Sequence, residues 1–564
     1  MNYDYTELEV MTMLMINRPL LEQNFYRLVN TPGISGTDQE NLSSDTVIDC
    51  FNEMPYFKKN PEYLRAFPIK GDGFDRKVVT ALVKGHSKSN RTIVMIGHTD
   101  VVDAQDYGKD KDVAFDPVKL RERLDPESFS PDAKKDFLSE EWIFGRGVMD
   151  MRCGVAVAMS MIEAATRHPE LVNGNLLFVG VPDEENNSLG MISATENLVE
   201  LAETHDLEYI VCIDGEPQFP NYPGDNNKYV YQGTLGKFVL MAYCVGKETH
   251  GGDSLTGLNA NLIISELTRR IELNMDLSDV FEDVVCSPPT SLKQTDTKEH
   301  YNVKTPETAY AYYNFLTADQ SPKFFFDKVS DLAHDAMKDS LDRQRSQTER
   351  YFEMTNKQGS FYDWTPKVYA YSELVEIAKL HGGESFDAHM EACREEWRKQ
   401  PEMDQRILAV KMVEEVYSFC PDKDPKIILL YVPPYYPHIK PATDTPETAL
   451  ASGVVEMVAD YAKAEFNEDV SVEKFFTGLC DLSFVCLQNA EDVITNIQPN
   501  MPNWGFTYGL PVDTIKKLQL PVMNIGPYGK DAHKNTERLH EDYSFRVYPA
   551  LLAYAIDQLL KEER

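Results

Sequence analysis

Short, unbroken apolar runs that stop at acids or histidine recur along this chain. Residues 93–96 are apolar at every position, where a half-buried strand would alternate. That pattern predicts a strand covered on both faces of a parallel sheet. Gly97 follows, then His98 and Asp100. Residues 176–181 form a second run, ending in Pro182-Asp183-Glu184-Glu185, and residues 209–213 a third, ending in Asp214-Gly215-Glu216-Pro217. A fourth, residues 520–525, precedes a polar stretch that contains His533. Residues 77–84 predict a further strand, closed by Gly85. In an open α/β sheet the carboxyl ends of the strands are where ligands bind. One acidic strand end is commonplace, but several that converge on hard and borderline metal donors predict a metal site.

Helical patterns fill the intervals. Residues 1–30 read as a surface helix ending at Thr31-Pro32-Gly33. The polar connection 104–140 predicts one helix, and the Ala- and Met-rich stretch 155–167 a buried one. Asp150 stands just before that helix, where its plain reading is an N-cap. From Gly233 to about residue 440 the style changes. Strands over 237–245, 310–315 and 426–432 accompany helices over 259–271 and 323–350, with one or two more over 388–419. A helix from Thr445 to Phe466 then resumes the earlier style. The pattern is one domain, 1–235 and 441–564, interrupted by another, 236–440.

Composition narrows the function. A chain of 564 residues is too long for a single core. Its formal charge of −35 argues against nucleic acid and anionic membrane surfaces as partners. The nine cysteines include no C-x-x-C pair, which suits reduced thiols in a cytoplasm. No signal peptide or membrane-spanning run is evident. The expected metal donors are His98, Asp150, Glu185, His533 and an acid from Asp214 or Glu216. Nitrogen and oxygen donors without thiolate suit zinc, with cobalt or manganese as alternatives. Two such ions can share a carboxylate, activate water and polarise a carbonyl. Glu184, beside a ligand but not needed as one, is placed to move a proton.

These motifs, H-T-D-V-V, G-R-G-V-M-D-M-R-C-G, D-E-E, D-G-E-P and A-H-K-N-T-E-R, occur in order over residues 90–260 and 445–545. Together they resemble the M20 family of metallopeptidases and aminoacylases. Chain length and Gly257-Leu258-Asn259-Ala260-Asn261 look most like its arginine-utilisation, RocB-type branch. The resemblance implies a zinc-exopeptidase-like α/β fold, a mixed sheet sandwiched by helices, with an inserted α+β lid and dimerisation domain. It implies two zinc ions, with His98 and His533 terminal on opposite metals, Asp150 bridging and Glu185 a ligand. Glu216 is the remaining ligand by the G-E-P form, and Asp214 by the D-G-G form seen in other relatives. Glu184 would be the general base and Asp100 would orient His98. His250 would reach the partner subunit's site across a homodimer, and the Asp150–Met151 peptide would be cis. Where relatives carry an arginine for the substrate carboxylate, this chain offers Asn314, at the end of its strand. Asp481 resembles a pocket-edge acid, with a helix N-cap as the alternative. The implied activity is hydrolysis of the amide bond in small N-acyl amino acids or dipeptides, within arginine metabolism. A broad dipeptidase and a catalytically silent binding scaffold are the alternatives.

Overall fold

The computed structural model describes residues 13–222, 224–400 and 403–561. They fall into two compact units: one of residues 1–235, 439–487 and 511–564, the other of 236–438 and 488–510. Residues 488–510, counted with the first domain on sequence, thus cluster with the second.

The first unit is built on an eight-stranded mixed sheet. Its strands are β1 (Leu64–Pro68), β2 (Lys77–Lys84), β3 (Arg91–His98), β4 (Asn175–Val181), β5 (Glu208–Asp214), β6 (Lys228–Tyr231), β7 (Val470–Glu473) and β8 (Val522–Asn524). Their order is β1-β2-β4-β3-β5-β8-β6-β7. The apolar runs at 93–96, 176–181 and 209–213 are the central strands β3, β4 and β5. β3 pairs in parallel with both neighbours, Ile96 lying beside Val179 and Asp214. β8 extends the parallel set from β5. The chain leaves β3 for β4 on one side and then returns to β5 on the other. That reversal opens a crevice at the carboxyl ends, where ligands of such sheets sit.

Helix Cys153–Arg167 is buried from Cys153 to Ala165 and packs on the sheet, as its Ala- and Met-rich pattern predicts. A second small sheet joins Trp142–Phe144, Gly529–Lys530 and Arg538–His540, with Arg538 opposite Phe144. It ties the segment leading to Asp150 to the loop that carries His533.

Two helical expectations need correction. The N-terminal helix is shorter than read, Arg18–Val29, with Arg18, Pro19 and Gln23 exposed and Leu21, Phe25 and Leu28 forming the stripe that packs inward. The part of that expectation covering residues 1–12 lies outside the described residues. The connection 104–140 holds two α-helices, Pro117–Arg123 and Pro131–Ser139. Each starts at a proline behind a capping side chain, Asp116 accepting from the Lys119 amide and Ser130 from that of Ala133.

The second unit carries a five-stranded sheet of Thr290–Asp296, Thr308–Thr317, Gly236–Val245, Lys426–Tyr436 and Val368–Ala370, in that order. Helix Ala260–Ile271, capped by Asn259, packs on this sheet through Ile263, Ile264, Leu267 and Ile271. The helix read as 323–350 runs for 34 residues, Pro322–Thr355. Three helices follow, Tyr371–Gly382, Glu384–Trp397 and Gln405–Ser418.

Candidate metal centre

The carboxyl ends of β3, β4 and β5 bring their polar residues into one buried cluster. Close backbone approach makes this possible. A side chain on Gly526, just past β8, would place its Cβ 1.8 Å from the Glu216 carbonyl oxygen. At Gly154 the same test meets the Gly215 carbonyl at 2.2 Å. Only glycine lets these backbones touch.

Asp150 sits at the middle of the cluster. One carboxylate oxygen lies 3.0 Å from His98 Nε2 and the other 3.1 Å from His533 Nε2. Glu216 Oε1 stands 3.5 Å from His98 Nε2, and Glu185 Oε1 2.9 Å from His533 Nε2. Two three-donor sets therefore share Asp150: His98, Asp150 and Glu216, then Asp150, Glu185 and His533. The donor atoms in each lie within 4.8 Å of one another. A third grouping, His98 with Glu184 and Glu185, overlaps them, but Glu184 is 4.0 Å from His98 Nε2. Asp214 belongs to none of these sets, and its Oδ1 takes the Gly215 amide instead. Of the two acids left open on sequence, geometry brings Glu216 to the cluster. Asp150 is not an N-cap: Arg152 precedes the helix, and the Asp150–Met151 peptide is cis.

Asp100 meets His98 through its backbone and also braces the neighbouring turn. His98 Nδ1 makes its 3.0 Å contact with the Asp100 carbonyl oxygen, whereas the carboxylate is 3.6 Å away, beyond hydrogen-bond range. That carboxylate instead accepts the amides of Glu184 and Glu185, each at 3.2 Å. It holds the turn that presents both acids. Burial opposes its charge, but His98 and these amides keep the Asp100 carboxyl below its ordinary range.

Two supporting networks hold the cluster in place, and the first had no signal in the sequence pattern. Arg76 Nη1 binds Glu40 Oε1 at 2.7 Å and Asp183 Oδ1 at 2.5 Å, both carboxylates fully buried. Glu40 Oε2 also accepts the Asp183 amide at 2.8 Å, next to Glu184. The residues are scattered, so only the fold could reveal them. The other network joins motif residues: Glu537 binds Arg146 Nη1 at 2.8 Å and accepts the Met149 amide at 3.3 Å. Their recurrence inside two motifs was the available signal.

Other expected residues fall elsewhere. His250 lies in the second unit, exposed, with Nδ1 accepting the Gly252 amide at 3.0 Å. Asn314 is half-buried within the strand Thr308–Thr317, between Val239 and Thr290, and not at the strand's end. Asp481 is buried in the first unit, and Cys480, not Asp481, occupies the cap position of its short helix.

The electrostatics suit a cation. Burial, followed by the Asp150 charge, pushes Glu216 well above the usual carboxylate range. Burial does the same to Glu184, and raises Asp214 to about 7. Hydrogen bonds donated to Asp150 and Glu185 raise His533 to about 11. Divalent ions between these groups would relieve that strain, and the nitrogen and oxygen donors fit such ions. A carboxyl raised in the fold holds a proton that the unfolded chain has released, so stability falls as pH climbs through that interval. Chelator-stripped protein should therefore lose thermal stability between about pH 4 and pH 7 more steeply than metal-loaded protein, in which Glu40 and Glu537 still hold raised carboxyls. Parallel melting curves across that range check this, and identical slopes would refute it.

Fold and cluster together place a paired set of metal donors at the carboxyl ends of a mixed α/β sheet. The chain belongs to peptidase family M20/M25/M40, whose model matches residues 94–557. It is 32% identical to protein RocB of Bacillus subtilis over 538 residues, 95% of this chain and 94% of RocB. It is 36% identical to YqjN, an uncharacterised protein of the same species, over 539 residues and 95% of both chains. These relatives agree with a RocB-type branch. Among solved structures, the di-peptidase Dug1p of Saccharomyces cerevisiae matches with a TM-score of 0.51 at 11% identity, covering 97% of each chain. That likeness establishes the fold.

Proposed function

We propose that the protein is a dinuclear zinc hydrolase of small N-acyl amino acids or dipeptides, with arginine-derived amides foremost among its substrates. The observation that carries the reading is Asp150, whose two carboxylate oxygens meet His98 and His533 separately. His98, Asp150 and Glu216 would hold one ion, and Asp150, Glu185 and His533 the other. When bound, such a pair lowers the pKa of water and polarises a carbonyl. Glu184, fixed through its backbone by Asp100, would take the proton from the attacking water and pass it to the departing amine nitrogen. The RocB kinship supports an arginine-linked substrate. The nine unpaired cysteines support a cytoplasmic setting, and among the described residues no helix is long and apolar enough to cross a membrane. The test is a hydrolysis screen of N-acyl amino acids, arginine derivatives included, and dipeptides, using zinc-loaded and chelator-stripped protein. Turnover that survives stripping, or none on either class, would overturn the reading.

The same reading assigns residues 236–440 to a lid and homodimer contact, with His250 donating to the developing oxyanion in the partner's site. His250→Ala should then cost about 10²–10³ in rate. Co-expressing His250→Ala with Glu184→Gln should restore about one quarter of wild-type activity, because one site in each mixed dimer is intact. Mixed dimers that stay inactive, or an active monomer, would exclude the shared site.

A further inference from the structure

Among the described residues, one other group of side chains apart from the centre around Asp150 is arranged as metal donors, and it lies in the second unit. His389 and Cys393 are four residues apart on helix Glu384–Trp397, so both project from one face. Glu415 faces them from helix Gln405–Ser418. His389 Nε2 is 2.7 Å from Glu415 Oε2 and 3.5 Å from Cys393 Sγ, and the three donor atoms lie within 4.8 Å of one another. We propose that His389, Cys393 and Glu415 form a second, independent site for a zinc-type divalent ion that clips these two helices together.

The geometry goes beyond a chance surface pair. With zinc bonds of about 2.3 Å to sulfur and about 2.05 Å to nitrogen, a tetrahedral centre separates the two donors by about 3.5 Å. That is the distance seen here. The corresponding nitrogen-to-oxygen edge is about 3.3 Å against the 2.7 Å seen here, so Glu415 need retreat by only about 0.6 Å, within reach of its long side chain. The His389 ring is steadied by Phe419, with centroids 5.2 Å apart, and Phe419 packs edge-on against Phe386. Cys393 is half-exposed where the other eight cysteines are buried, so an ion could reach it and water could fill the fourth position. Thiolate with imidazole selects zinc or cobalt over magnesium or calcium.

The site also has a mechanical purpose. Helix Glu384–Trp397 buries only Phe386 and Met390, whereas helix Gln405–Ser418 buries Leu408, Ala409, Val410, Met412, Val413 and Val416. The first helix is thus weakly anchored by apolar contact. A bond through metal to Glu415 would fasten it to the better-anchored second helix. The ion's role is structural, and the cleavage chemistry of the other centre does not depend on it.

Cobalt distinguishes the two centres, because only this one offers sulfur. Titrating full-length, metal-stripped protein with Co2+ should produce a near-ultraviolet thiolate-to-cobalt charge-transfer band. The band should vanish in Cys393→Ser and weaken in Glu415→Gln. Native mass spectrometry should count one fewer zinc ion in Cys393→Ser than in wild type. With zinc at about 100 times its dissociation constant, amide exchange across residues 384–397 should slow by up to about 100-fold in wild type and not in the variant. Absence of the band in wild type, or its persistence in Cys393→Ser, would overturn the site. Both substitutions lie on a partly exposed face and leave the Asp150 centre intact, so failure here is separable from failure of the proposed hydrolase.

Discussion

Glu184→Gln protein is expected to keep its full metal content and lose turnover by about 10²–10⁴-fold, the usual worth of a positioned general acid–base. The two three-donor sets are complete without Glu184, which stands 4.0 Å from His98 Nε2 while Asp150 stands at 3.0 Å. Its backbone amide is held by Asp100, an anchor that the amide side chain would not disturb. Glutamine preserves shape and cannot accept the proton from water. Metal analysis and steady-state rates on the same preparation separate the roles. Metal loss in the variant would make Glu184 a ligand, and near-normal rates would remove it from the chemistry.

Asp150→Ala should have the larger structural effect, depleting both metal positions at once. Residues that merely orient ligands cost about 10–100-fold in metal affinity when removed. A carboxylate that reaches the donors of both sets must cost at least that much at each. Asp150 is almost wholly buried, and the hydrogen bonds of both histidines pull its carboxyl below the ordinary range against the cost of burial. Alanine would leave His98 and His533 without that shared counter-charge. Counted apart from any ion at His389, Cys393 and Glu415, metal content should fall below one ion per chain, with activity lost in step. A variant that retains two ions at the Asp150 centre would show that the positions do not share this residue.

The supporting shell divides by distance along the chain. Arg146 and Glu537 lie within motifs that already stood out, and the small sheet pairing Arg538 with Phe144 brings them together. Arg76 and Glu40 sit in a region of mixed helix and turn signals. Their importance comes from meeting Asp183 beneath the Glu184 turn. Nothing in local composition distinguishes a buried ion pair from an exposed one, because burial depends on what packs over it.

What the sequence determined by itself was whatever rests on short-range periodicity and strand-end chemistry. Unbroken apolar runs specified β3, β4 and β5, because a strand covered on both faces has no polar side to show. The residues after each run then supplied His98, Glu184, Glu185 and Glu216 as candidates. Tertiary structure alone brings Glu216, and not Asp214, beside His98 and Asp150, since Asp214 still lies on the strand and Glu216 in the turn after it. It directed the Asp100 carboxylate to the amides of Glu184 and Glu185, leaving the backbone carbonyl to meet His98. It also set His389 and Cys393 across from Glu415. Each of these is a contact between segments, whose energy depends on distances that one-dimensional order does not contain.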